Sequence, residues 1–162
     1  MALNLTQKER SLLEDQKSHE EICIQKYTSY AQQASDPELK QLFSTYAGQE
    51  QQHLNTINQI LAGQEPAMGG QGQQPGAGPA QAQGRQAPGM GHLQAAGSGN
   101  DAALCQDMLM TEKYVSGAYD TSIFEMTNSS VRQALNHIQK EEQQHGEGIF
   151  QYMQSRGMYQ PQ

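Results

Sequence analysis

Leu39, Phe43, Tyr46, Glu50, His53, Ile57 and Ile60 follow one another at alternating intervals of four and three residues. That spacing belongs to a helix with one stripe turned toward other helices, so it predicts a packed helix whose core stripe includes a carboxylate and an imidazole. Val131, Leu135, Ile138, Glu142, His145, Ile149 and Tyr152 repeat the intervals, and again Glu and His fall on the stripe. Both copies contain the string Glu-Gln-Gln-His, ending at His53 and His145, 92 residues apart.

A gapless shift of 92 also sets Asp15 on Asp107, Glu20 on Glu112, Tyr27 on Tyr119 and Asp36 on Asn128, which implies an internal duplication. Boundary signals divide each copy into two helices. Thr6 with Glu9 reads as a capping box, and Asp36-Pro37-Glu38 as an N-cap followed by a first-turn proline, placing helices at roughly 6–34 and 37–62. In the second copy Asn100 or Asp101 is expected to cap the third helix, Asn128 or Ser129 the fourth, and Gly157 to end it. Residues 64–99 are built of Gly, Gln, Ala and Pro without an apolar period, and read as a flexible linker between hairpins 1–63 and 100–162. A Gln/Gly-rich segment that self-associates or is cross-linked is the functional alternative for that stretch. The expected fold is all-α: an antiparallel four-helix bundle, one domain made of two duplicated hairpins, with the linker crossing the length of the bundle.

Composition narrows the partners. A net charge of −7 without a basic cluster excludes nucleic acid as the main partner. No run of about 18 apolar residues occurs and residues 1–10 lack an apolar stretch, so neither a membrane span nor a signal peptide is expected, and synthesis is expected in the cytosol. Cys23 and Cys105 do not correspond under the shift and lie in apolar helical pattern, which suits buried thiols rather than a disulfide framework.

Carboxylates on a core stripe are costly unless paired, hydrogen-bonded or bound to metal. Glu20 and Glu50 stand about 15 residues either side of the turn near residue 35, so an antiparallel hairpin brings them level, roughly 22 Å from the bend. Glu112 and Glu142 do the same about residue 127. Two hairpins facing one another would line a cavity with Glu20, Glu50, His53, Glu112, Glu142 and His145. Four carboxylates balance two divalent cations, and the mixed oxygen and imidazole donors suit two Fe or two Mn ions better than Ca. The competing reading is a solvated Glu/Gln-rich face, to which Gln51, Gln52, Gln143 and Gln144 belong. Tyr27 and Tyr119, seven residues after Glu20 and Glu112, are either hydrogen-bond donors beside the ligands or plain core residues. Asp15 and Asp107 are expected at the surface or at caps. His19, His137 and His92 are expected to be incidental, and Met108, Met110 and Met126 to fill gaps in the core.

One Glu from each of two helices and a Glu-x-x-His from each of the other two is the ligand pattern of di-metal carboxylate bundles, so the chain resembles the ferritin-like superfamily over both helical halves. The second half further resembles the spore coat protein F family in three places. These are the run Met110 to Val115, the run Asn136 to His145 and the ending Tyr152 to Tyr159. The resemblance implies association with the spore coat and with other coat proteins or itself. It leaves two main readings: a redox protein that reduces peroxide or oxygen at the metal pair, and a structural coat component whose metal site is only stabilising or vestigial. An iron-storage cage is disfavoured, because the exposed faces carry no evident second set of acidic residues.

Overall fold

A computed structural model describes residues 2–67 and 98–159. They form four helices and, among the described residues, no strand: α1 (Gln7–Gln33), α2 (Pro37–Leu61), α3 (Ser98–Glu125) and α4 (Ser129–Ser155). Thr6 and Glu9 make the expected capping box, Asp36 caps α2 with Pro37 in its first turn, and Asn128 caps α4 by accepting from the Val131 N–H. Gly157 follows the C-cap of α4 with a φ of 68°, a left-handed conformation that a residue with a Cβ adopts only under strain.

α1 pairs with α2 and α3 with α4 as antiparallel hairpins, and α1 also packs on α3 and α2 on α4. Contacts at the helix ends set the directions. Glu9 at the start of α1 meets Thr127 just beyond α3, and Asp101 at the start of α3 meets Ser35 just beyond α1. Asp36, the cap of α2, meets Tyr152 near the end of α4. Adjacent helices therefore run antiparallel, and α2 and α3 run in the same direction. The connection between them must return about 38 Å, the length of a 25-residue helix.

The stripes read from the sequence are the buried stripes. Leu39, Phe43, Ile57 and Ile60 of α2 and Val131, Leu135 and Ile149 of α4 are fully buried, each contributing about 1.5–3 kcal/mol of hydrophobic stabilisation. They sort into two apolar clusters. One contains Leu13, Ile57, Ile60, Met126, Val131 and Leu135, toward the α3–α4 turn; the other contains Leu39, Phe43, Met108, Ile149 and Met153, toward the α1–α2 turn. A polar layer lies between them. Cys23 and Cys105 are free and buried within the clusters.

Three expectations need correction. α3 begins at Ser98, before Asn100. Asp101 does not cap its own helix, because its carboxylate reaches across to the α1–α2 turn and accepts from the Ser35 and Asp36 N–H groups at 2.8 and 3.1 Å. Met110 is 69% exposed, unlike the buried Met108 and Met126, since it lies on the outer face of α3. Of the stretch expected as a linker, residues 64–67 are irregular and 98–99 are helical; the remainder, with His92, lies outside the described residues.

Candidate metal centre

The polar layer is formed by Glu20 on α1, Glu50 and His53 on α2, Glu112 on α3, and Glu142 and His145 on α4, all 0–2% exposed. Residues three apart share a helix face, so each Glu-x-x-His turns both side chains inward. All six sequence candidates converge on one place. They form two overlapping groups whose donor atoms lie within 4.8 Å of one another: Glu20, Glu50, His53 and Glu142, and Glu50, Glu112, Glu142 and His145.

Glu50 and Glu142 belong to both groups, and their oxygens are divided between the two histidines. His53 Nδ1 lies 3.1 Å from Glu50 Oε2 and 3.3 Å from Glu142 Oε1. His145 Nδ1 lies 3.2 Å from Glu50 Oε1 and 3.4 Å from Glu142 Oε2. Glu20 stands only near His53, at 3.6 Å, and Glu112 only near His145, at 3.4 Å. Two shared carboxylates, with one private carboxylate and imidazole on each side, form a donor set that could hold one ion in each group.

The outer edge of each ligand is tied down. Tyr27 on α1 donates to Glu112, and Tyr119 on α3 donates to Glu20, so each hairpin's tyrosine holds the other hairpin's glutamate. Both tyrosines are fully buried; they are core residues and hydrogen-bond donors together. His53 Nε2 lies 2.7 Å from Glu141 Oε2, and His145 Nε2 lies 2.6 Å from Gln49 Oε1. An oxygen acceptor on each Nε2 keeps a proton there and leaves Nδ1, the nitrogen facing the carboxylates, as the one that would ligate once deprotonated.

The charges fit a cation pair. Burial pushes Glu20 and Glu112 well above the usual carboxylate range. For Glu50 and Glu142 burial acts in the same direction but is outweighed by the His145 and His53 imidazoles beside them, which hold both below their ordinary value. Burial disfavours the imidazoliums, yet the surrounding carboxylates push His145 up to about 11 and His53 further. The shifts of Glu50, Glu142 and the two imidazoles thus favour their charged forms, and those of Glu20 and Glu112 the neutral form. Even so, Glu20 Oε2, Glu112 Oε2 and both oxygens of Glu142 remain buried without a hydrogen-bond partner. Such orphaned acceptors are rare in a folded interior, and two divalent ions would engage them while balancing four carboxylates.

Several residues at the site were not singled out from the sequence. Glu141 and Gln49 are each other's counterparts under the 92-residue shift, a signal that lay in the repeat. Tyr46 stacks on His145, with ring centroids 4.3 Å apart. Gly148 makes this stacking compatible with the α2–α4 contact, because a Cβ there would collide with the Tyr46 hydroxyl. His137 is mostly exposed and lies 3.5 Å from the outer oxygen of Glu141. His19 packs against Tyr114, away from the layer. Asp107 joins α3 to α1 by accepting from Lys26 and Tyr30, whereas its counterpart Asp15 is exposed.

Residues 100–162, the α3–α4 hairpin, match the family described as the Coat F domain. No curated protein and no solved structure matches the chain. No helix among the described residues is long and apolar enough to cross a membrane.

Proposed function

We propose that this chain is a spore coat protein whose bundle holds two Fe or two Mn ions between Glu20, Glu50, His53, Glu112, Glu142 and His145, in the manner of the ferritin-like superfamily. The observation that carries the reading is the buried Glu142 carboxylate, which has no hydrogen-bond partner and stands between two imidazoles. The Coat F match over α3–α4 supports the coat assignment and association with other coat proteins or further copies of the chain.

A bound Fe or Mn pair supplies one-electron chemistry and exchangeable coordination positions for peroxide or oxygen. The chain's own part is to hold and orient. Tyr27 and Tyr119 orient the carboxylates of Glu112 and Glu20 by donating to one oxygen of each, Glu141 and Gln49 fix the Nε2 protons of the imidazoles, and the two apolar clusters exclude water above and below. Ligation requires the protons to leave Glu20, Glu112 and the two imidazoliums, so metal affinity rises with pH and uptake releases protons. Calorimetry in buffers of different ionisation enthalpy measures that release.

The deciding experiment is metal analysis of the purified protein, followed by peroxide consumption before and after Glu50→Ala and Glu142→Ala. Bound Fe or Mn, with turnover lost in both variants, supports the redox reading. A protein that neither contains nor is stabilised by either ion overturns the ligand set. A metal-bound protein with no turnover, together with variants that fail to join the coat, moves the assignment to a structural coat component stabilised by metal.

A further inference from the structure

The two metal positions are built from equivalent ligands, but their surroundings differ in two independent respects. The first is the acceptor behind each imidazole. His53 is backed by the Glu141 carboxylate, whereas His145 is backed by the neutral amide oxygen of Gln49. A carboxylate on Nε2–H makes the imidazole a stronger donor through Nδ1 than an amide does, and such outer partners alter metal affinity by about 10–100-fold.

The second is access. A pocket of about 660 Å³ between α3 and α4 is lined by Glu112, of the His145 group alone, and by Glu142, which both groups share, together with Leu109, Ser116, Lys113 and Gly146; the partnerless oxygens of both glutamates are themselves buried. Gly146 lines this pocket without a side chain: a Cβ there would stand 3.9 Å from Glu112 Cβ and Leu109 Cδ1, and a longer side chain would take up pocket space beside Glu112. At the corresponding places of the first hairpin the chain carries Leu54 for Gly146 and Ile24 for Ser116. On the α2–α4 side the stacked Tyr46 ring covers His145, whereas the α3–α4 pocket is lined by Glu112 of the same group.

Resting on the two-metal reading, we infer that the positions have different tasks: the Glu20/His53 position is the tight, enclosed one that fills first, and the Glu112/His145 position is the exchangeable one that receives small exogenous ligands, such as peroxide or azide, through the α3–α4 pocket.

Calorimetric and optical titration of the full chain with Co(II), an ion whose spectrum reports its ligands, tests this. Two binding steps separated by at least about tenfold in affinity are expected. Glu20→Ala removes the tighter step and Glu112→Ala the weaker one. Glu141→Gln, a partly exposed and shape-preserving change, weakens the tighter step by about tenfold or more, and Gln49→Glu strengthens the weaker. Circular dichroism verifies that each variant folds. In protein carrying both ions, azide perturbs the Co(II) spectrum, and Gly146→Leu weakens that response by at least about tenfold. Absence of any Co(II), Mn or Fe binding overturns the two-metal reading itself. Two equal steps, or loss of the tighter step in Glu112→Ala, leaves that reading standing and overturns the ranking. An unchanged azide response in Gly146→Leu overturns the assigned approach.

Discussion

Hairpins α1–α2 and α3–α4 place the same Glu, Glu and His at the centre of the bundle and the same tyrosine across from the partner's glutamate, yet they differ one layer further out. Gln49 stands where the second hairpin has Glu141, Leu54 where it has Gly146, and Tyr46 where it has Ile138. The inner set is held alike because each position completes a shared centre: a change in one hairpin would leave a carboxylate of the other without its partner in a dry interior. The outer positions touch only one imidazole or one side of the layer, so a substitution there alters one of the two residue groups without dismantling the other. The Coat F match covers α3–α4 alone, the hairpin whose two helices line the pocket beside Glu112.

The helix ends show the same pseudo-symmetry with a smaller departure. Glu9 and Asp101 are counterparts, and each clasps the other hairpin's turn: Glu9 accepts from Thr127 N and Oγ1 at 2.7 and 2.8 Å, and Asp101 accepts from Ser35 N and Asp36 N. Glu9 also accepts from the N–H of its own cap, Thr6. Each clasp ties the hairpins together at one end of the bundle, with the polar layer between them.

The largest expected effect separates shared from private ligands. Saturation of one site at 100 times its Kd stabilises by about 2.7 kcal/mol, so Mn or Fe is expected to stabilise the wild-type protein by roughly twice that amount. Glu112→Ala should retain about half of the metal-induced stabilisation and Glu142→Ala almost none, read from denaturant midpoints with and without metal. Equal losses would contradict the bridging role of Glu142.

Next in size are the clasps. Glu9→Ala should cost about 2–3 kcal/mol and Asp101→Ala somewhat less, because Glu9 accepts from more donors. Urea denaturation compares them, and a larger cost for Asp101 would break the ranking. Burial opposes ionisation of Glu9, but hydrogen bonds from the Thr127 and Thr6 backbone outweigh it and hold the carboxyl near about 2. A depressed folded-state value means that the ionised form stabilises the fold. This contribution is complete above the ordinary value of 4.5 and is lost as pH falls from there through about 2. Glu9→Gln should flatten the stability profile in that window.

The smallest effects are expected at the tyrosines. Tyr27→Phe and Tyr119→Phe each remove one donor to a buried glutamate and should cost about 1 kcal/mol each. Thermal unfolding of the metal-free variants measures both costs, and a clear inequality would show that the symmetry of the inner set is geometric only.

The six converging side chains were legible before any tertiary information because three regularities coincided on them: the four-and-three stripe, the 92-residue repeat and the equal distance of paired glutamates from each turn. Tyr27 and Tyr119 were legible as buried positions, but their donation to the opposite hairpin's glutamate depends on how α1 packs on α3. Asp101 misled for a similar reason. An acid near a helix start reads as a cap, and only the neighbouring α1–α2 turn, with its exposed N–H groups, supplied the stronger partner.

Local pattern by itself determined the four helices, the N-caps of α1, α2 and α4 and the inward turn of Glu50, His53, Glu142 and His145, since helical periodicity and capping are properties of neighbouring residues. The tertiary structure decided which carboxylate serves both imidazoles, which tyrosine holds which glutamate, and that Glu141 reaches His53 while Gln49 reaches His145. Those pairings join residues far apart in the chain, and only the packing of one hairpin on the other brings them within hydrogen-bonding distance.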